Sequence, residues 1–448
     1  MRRTLLAIML GLVAGLGTVL GGCALTRLPN VPLTLTGSPA TPPILGPLDG
    51  TAAVASRADW ESRRVPRLKT LFQSQIYGAM PAPARVDILS RVVLQAPAKG
   101  PIGTIERITL AVSLDRPGPW PGGRPVVDMI LITPKGKGPF PIIAGGTFCG
   151  NDALFPKTPE PQTLKVRTTN MPLPPECGGG LPAFMVEAIF GKNANSPPWE
   201  AIARHGYALA SWHPGDVVPD VPGIAEPYLA ALTPDGTPPD QRTGAIAAWA
   251  WTLSRMLDVL AADPRIDPEH MLLWGHSRHG KAALLAAAFD PRPVAVWALQ
   301  SGTGGASLDR DEVGEPIGAI TASFPHWFAP VYATTAARPD ARLLDQHQLI
   351  GLLAPRSVLV GTGRRDQWGD PHGSFRALMG ADPVYRLYGL PGFAQTSLTK
   401  PAEVGPLAFY MRPGLHGIHS QDWAQALAFF DRTVPKLPPT APNISLKP

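Results

Sequence analysis

The stretch Met271-Leu-Leu-Trp-Gly-His-Ser-Arg-His-Gly-Lys-Ala-Ala-Leu-Leu285 decides how the rest of the chain is read. Its first half has the apolar run of a buried strand and its second half the Ala/Leu content of a helix, with Ser277 between them, bounded by Gly275 and Gly280. A strand that turns sharply into a helix lifts a serine hydroxyl to the top of a sheet and aims the next main-chain N–H at a developing oxyanion. The usual elbow is G-x-S-x-G, whereas this one is G-x-S-x-x-G, wider by a residue.

Strand-like and helix-like segments alternate on both sides of the elbow. Ile105–Leu114 and Val126–Ile132 read as antiparallel strands leading in, and Pro139–Gly146 as a buried strand running into a glycine loop. Tyr207–Trp212, Val294–Leu299, Ser357–Val360 and Phe409–Arg412 read as further short strands. Helices are expected over Thr243–Ala262, stopped by Asp263-Pro264, over Arg278–Phe289, near Ser374 and over Ser420–Arg432. This order predicts an α/β fold: a mostly parallel central sheet covered by helices on both faces, a three-layer sandwich.

The 44% hydrophobic content supplies core for a large domain, and only 17% of the residues are charged, so neither a disordered chain nor a nucleic-acid binder is expected. The net charge of +6 is spread without a dense Lys/Arg block, and 54 prolines imply rigid loops and few long helices. Arg2 and Arg3 precede an uncharged apolar run from Leu5 to Leu20 that ends in Leu20-Gly-Gly-Cys23. This reads as a signal peptide over 1–22. It resembles the lipobox of bacterial lipoproteins, in which the cysteine is lipidated. Ala24 lacks the Asp that favours inner-membrane retention in such proteins, so a lipid anchor at Cys23 in the outer membrane or at the cell surface is expected. A Pro-rich tether over 23–59, a catalytic domain over 60–435 and a tail over 436–448 complete the division. In an oxidising compartment the remaining cysteines, Cys149 and Cys177, are candidates for a disulfide.

A serine hydroxyl becomes nucleophilic only when a base takes its proton, so Ser277 needs a histidine oriented by a carboxylate. Chain order puts that base after the last core strand and before a final helix, which selects His416 in Arg412-Pro-Gly-Leu-His-Gly-Ile-His-Ser420; His419 is the alternative and reads better at the helix start. His276 and His279 flank the serine too closely to turn back on it, one expected beside the elbow in the core and the other facing solvent. The orienting acid belongs after Ser357–Val360, where Asp366 and Asp370 both qualify. Asp366 lies nearer the strand end, and Asp370 before Pro371 suits a helix N-cap. The main-chain N–H of Arg278 and the loop Gly145–Gly150 are placed to meet an oxyanion, and the Arg278 side chain adds a fixed cation.

Gly-His-Ser-Arg-His-Gly-Lys281 resembles the nucleophile motif G-[CH]-S-R-x-G-K of the glucuronoyl esterases, carbohydrate esterase family 15, in which the wider glycine spacing is the rule. Further matches follow in order: Ser323-Phe-Pro-His-Trp-Phe328, Asp345 to Arg356, Asp366-Gln-Trp-Gly-Asp-Pro371, and Arg412-x-Gly-x-His416 with Asp422-Trp423. The resemblance spans roughly Pro139 to Trp423 and implies an α/β-hydrolase that cleaves esters of 4-O-methyl-glucuronic acid, as in cross-links between xylan and lignin. By motif position it implies Ser277 as nucleophile, His416 as base and Arg278 at the oxyanion, with Lys281, Glu315 and Trp368 on the uronic acid. No cofactor or metal is implied, and the partners are a glucuronate-bearing saccharide ester and the membrane, not nucleic acid. One departure stands out, because many members carry a catalytic glutamate where this chain has Gln300, which throws the role onto Asp366. An esterase for acetyl-xylan or pectin, and a carbohydrate-binding lipoprotein with an impaired site, are the alternative readings.

Overall fold

The structure is a computed structural model and describes residues 29–35, 41–114, 120, 121, 123–155, 171–173, 177, 190–310, 313–337, 342–399 and 404–434. The expected signal peptide, Cys23, the tail over 436–448 and most of the Pro-rich insertion 156–198 lie outside the described residues.

Among the described residues nine strands form one sheet: β1 (Arg85–Gln95), β2 (Ile102–Ser113), β3 (Val126–Pro134), β4 (Phe140–Gly146), β5 (Ala208–Trp212), β6 (Ile266–His276), β7 (Pro293–Leu299), β8 (Ser357–Gly363) and β9 (Leu407–Arg412). Their order is β1-β2-β3-β5-β4-β6-β7-β8-β9, so β6, the strand of the elbow, has sheet on both sides. Strands β4 to β9 are parallel, while β1, β2 and β3 join β5 through antiparallel pairs. Residues Met271 to His276 are all buried, because a strand covered on both faces has no solvent side to mark with polar residues.

The sheet divides the core. Leu273, Val296 and Val360 point to one face, where the helices Ala245–Ala261, Arg278–Phe289 and Pro371–Leu387 pack. Leu272, Trp274, Trp297 and Leu359 point to the other, against Ile202 and the helix Ser420–Thr433. These are the three layers of an α/β-hydrolase, with the elbow at the C-terminal end of the parallel strands.

The tether expected over 23–59 gives way, in its described part, to packed chain. Ile44, Leu48 and Val54 are buried in the larger core. The buried Arg64 guanidinium donates to the carbonyls of Ile44, Gly46 and Ala52, and a helical stretch opens at Arg57 behind the N-cap Ser56. A chain this poor in charge buries its apolar side chains when apolar surface lies within reach. Nearer the N-terminus, residues 29–35 form a strap against the segment that follows β8. The Val31 N–H donates to the Arg364 carbonyl at 2.8 Å, and His372 Nε2 lies 2.8 Å from the Pro32 carbonyl oxygen.

Strand β1 has no counterpart in the sequence reading. Among the described residues it pairs with β2 alone, and Ile88, Leu89, Val92 and Val93 are exposed on it. An edge strand with apolar residues turned outward lacks the alternation by which half-buried strands are recognised.

Candidate active site

Ser277 sits at the end of β6 with φ +54° and ψ −125°, a conformation that a non-glycine residue holds only when its surroundings impose it. The flanking glycines explain how. A Cβ on Gly275 would lie 2.2 Å from the His279 carbonyl oxygen, and one on Gly280 would stand 3.0 Å from both the Gly275 carbonyl oxygen and the Ser301 Cβ. The two glycines thus face each other across the elbow, which is why the second falls at 280 and not at 279. The helix that opens at Arg278 turns the positive end of its dipole toward Ser277.

His416 follows β9, and its Nδ1 lies 3.0 Å from Oδ2 of Asp366, which follows β8 and is buried. The other Asp366 oxygen accepts the Gly369 N–H at 3.0 Å. Ser277, Arg278 and His416 line one pocket with Phe148, Cys149 and Asn195. The alternative acid, Asp370, turns away: it accepts the Gly373 N–H at 3.0 Å and caps the helix Pro371–Leu387, as its place before a proline suggests. His419 stands at the start of the last helix, its N–H donated to Asp422.

Gln300 occupies the end of β7 with φ +52°. Its Nε2 donates to the Leu415 carbonyl at 2.9 Å, and its Oε1 accepts the Gly417 N–H at 2.8 Å, so one side chain holds the backbone on both sides of His416. The same Oε1 is 2.9 Å from His276 Nε2. The His276 and His416 rings lie 4.5 Å apart, centroid to centroid. Burial first, and then His416, push the His276 pKa well below its ordinary value, so no second cation competes beside His416.

One of the two histidines flanking Ser277 is expected from the sequence to face solvent, and neither does: His279 is buried like His276, and packs edge-on against Phe148 at 4.4 Å and tilted against Trp249 at 5.6 Å. Its helix face points into the seam between the glycine loop and the helix Ala245–Ala261. Burial and the neighbouring Arg278 hold its pKa down to about 3. The glycine loop itself is fastened by a disulfide between Cys149 and Cys177.

Lys281 is buried, and its Nζ donates to the carbonyls of Ser301 and Thr303, the latter at 2.5 Å. Burial lowers its pKa to about 8 against the opposing pull of Glu315. Glu315 is half-buried, and its carbonyl accepts the Thr303 hydroxyl at 2.7 Å, so the segment Ser301–Thr303 ties the two residues together. Trp368 is 44% exposed and lies edge-on to His416 at 5.5 Å, a surface aromatic beside the base and not a core residue.

Sequence reasoning missed Asp220, which lies beyond β5 in Val217-Val-Pro-Asp220. Its Oδ2 accepts from Arg278 Nη1, while Oδ1 lies 2.9 Å from His326 Nε2 and accepts the Trp327 indole N–H at 2.7 Å. His326 and Trp327 belong to a stretch already quoted, but nothing local in the sequence joins them to a carboxylate more than a hundred residues earlier.

A hydroxyl on a strained elbow, an imidazole beside it and a buried carboxylate behind the imidazole can carry nucleophilic acyl chemistry. Known proteins similar to this chain in sequence and fold are esterases. Residues 238–389 match the family model described as glucuronyl esterase, fungi. A carbohydrate esterase, MZ0003, from an unknown prokaryotic organism is 30% identical over 395 residues, covering 86% of this chain and 87% of its own length. Among solved structures, a promiscuous CE15 esterase from a marine bacterial metagenome superposes with a TM-score of 0.73 at 28% identity, over 91% of this chain and 98% of its own. A glucuronoyl esterase from Solibacter usitatus does so with a TM-score of 0.71 at 29% identity, over 89% and 99%. Fold and relatives together define a carboxylic ester hydrolase built on the α/β-hydrolase scaffold. Within that class the chain belongs to carbohydrate esterase family 15, the glucuronoyl esterases.

Proposed function

We propose that this enzyme hydrolyses esters of glucuronic acid and its 4-O-methyl ether, with Ser277 as nucleophile, His416 as general base and Asp366 as the orienting acid. The observation that carries the reading is the Asp366 to His416 contact of 3.0 Å at the pocket that also holds Ser277. Curated relatives named 4-O-methyl-glucuronoyl methylesterase, such as that of Sodiomyces alcalophilus at 35% identity over 136 residues, support the acyl group.

In this reading His416 takes the Ser277 proton as Oγ attacks the ester carbonyl. The oxyanion develops toward the main-chain N–H of Arg278, the glycine loop around Phe148 and the Arg278 guanidinium. His416 then hands the proton to the departing alcohol, leaving an acyl-enzyme that a water, deprotonated by the same imidazole, releases as the free uronic acid. Asp366 keeps the His416 Nδ1–H in place and stabilises the imidazolium. Lys281 and Glu315 meet the sugar hydroxyls, and Trp368 offers an exposed face for stacking an apolar sugar face. Lipidation of Cys23, and with it attachment to the outer membrane, is part of the same proposal and rests on the lipobox-like Leu20-Gly-Gly-Cys23.

Hydrolysis of benzyl glucuronate by the intact chain and by Ser277→Ala tests the function. Turnover that vanishes with Ser277 is expected; turnover that survives Ser277→Ala defeats the mechanism, and acetyl-xylan turnover in place of glucuronate turnover defeats the substrate. Radiolabelled palmitate that enters the wild-type chain but not Cys23→Ser tests the anchor.

A further inference from the structure

The Arg278 guanidinium occupies an unusual place for a permanent charge. Its side chain is only 13% exposed and is boxed by three rings: Phe148 at 5.4 Å, Phe324 at 5.8 Å and Trp327 at 5.0 Å. Phe324 and Trp327 are themselves stacked at 3.8 Å with their planes 5° apart. Aromatic faces attract a cation but exert little torque on it, and an apolar box raises the cost of keeping it charged. Something else must set the direction in which its N–H groups point.

Asp220 has the required geometry. Its carboxylate is 10% exposed, and one oxygen is committed to Arg278 Nη1 while the other is held by His326 and Trp327. His326 is fully buried, and Trp327 is fixed by its stack on Phe324, so the carboxylate is itself immobile. Trp327 acts twice, as donor to Asp220 and as a wall of the Arg278 box. Burial alone would raise the Asp220 pKa, but Arg278 and then the His326 and Trp327 donors overcome it and hold the group below the usual carboxylate range.

We propose that Asp220 is a positioning residue for Arg278: it fixes the rotation of the guanidinium beside Ser277 and supplies the buried counter-charge that keeps this cation in an apolar box. The proposal rests on the reading of Ser277 and Arg278 as parts of the ester-hydrolysing machinery. On that basis the ester meets a directed N–H donor belonging to a neutral pair, which strengthens only as negative charge builds on the carbonyl oxygen. Asp220 therefore acts on the transition state more than on substrate binding.

A double-mutant cycle over Asp220→Asn and Arg278→Ala tests this, read as kcat and KM on 4-nitrophenyl acetate. Turnover of that ester requires Ser277 and the oxyanion site whatever uronic acid is natural, so a failure of the glucuronate assignment leaves the cycle readable. Asp220→Asn is expected to lower kcat about 10- to 100-fold with KM within about threefold, and to add less than about twofold once Arg278 is already alanine. The same fractional loss in both backgrounds, or a kcat within about twofold of wild type, overturns the proposal. Trp327→Phe removes one donor to Asp220 and keeps the ring, and covers the case in which Asp220→Asn does not fold. A kcat loss of about 3- to 10-fold that disappears on Arg278→Ala supports the proposal, and one that persists there sinks it.

Discussion

The two sides of Ser277 handle charge differently. On one side His416 takes up a proton during turnover in the proposed mechanism; on the other, Arg278 is a cation at every working pH. The histidine side has Asp366 behind the ring and Gln300 holding the backbone on both flanks. The arginine side has Asp220, an aromatic box and two buried donors on the carboxylate. A transient charge calls for an acid in line with one ring nitrogen and a rigid loop, whereas a permanent charge calls for a permanent counter-ion and shielding from water. The two supports are built accordingly, and mutations separate them.

The largest effect is expected on the histidine side. Asp366→Asn should lower kcat by about 10³- to 10⁴-fold with Tm little changed, since the amide keeps the shape but not the charge that stabilises an imidazolium. Near-normal turnover would return the role to Asp370. Gln300→Ala removes the clamp, leaving the buried Gly417 N–H without its acceptor and the Leu415 carbonyl with only Arg412 as donor; a kcat loss of about 10-fold and a stability loss of about 1–3 kcal/mol are expected by chemical denaturation. A chain shortened to begin at residue 41 loses the strap but retains Ile44, Leu48 and Val54 in the core. It should lose several-fold in kcat while its Tm falls by only about 2–4 °C, because the strap bonds to Arg364 and His372, on both sides of Asp366 and Trp368. Unchanged turnover would show that the acid loop holds itself.

The last effect concerns acid and falls on stability, with no variant of the site needed. Burial depresses the pKa of His213, His276, His279 and His347, those of His279 and His347 to about 3. Below pH of about 6.5 the unfolded chain takes up protons that these residues refuse in the folded state, so stability falls as pH drops toward about 3, by up to about 1.4 kcal/mol per pH unit for each such histidine. Thermal melts from pH 7 to pH 4 should show Tm falling, and His279→Gln should make the fall shallower. Arg278 keeps its charge throughout that range and contributes no slope, whereas Asp220, held below the usual carboxylate range, adds to the fall only near pH 4 and below, where the unfolded carboxyl takes up a proton.

The difference also explains what the sequence made legible. Ser277, Asp366 and His416 each follow the end of a short buried strand, where continuous apolar runs and adjacent glycines announce the loop. Their order along the chain, serine then acid then histidine, is the order expected of an α/β-hydrolase. Asp220 follows a strand too, but its partners are a side chain on the elbow helix and two donors from a distant loop, contacts that only tertiary packing makes. The same holds for residues 41–59, whose packing rests on a few irregularly spaced apolar side chains and on main-chain carbonyls offered to Arg64. That neither His276 nor His279 faces solvent was not legible, because local sequence does not say which neighbour closes over the first turn of the helix.

The strap has one further consequence, of scale. Cys23 precedes Val31 by eight residues, and a fully extended chain of that length reaches at most roughly 28 Å. With the proposed lipid in place, Val31, and with it the Asp366 loop to which it is bonded, is leashed to within about the thickness of a bilayer's hydrocarbon core. The enzyme then samples only a thin shell of space above the membrane. Under that proposal a saccharide ester is cleaved within this shell and not in the bulk.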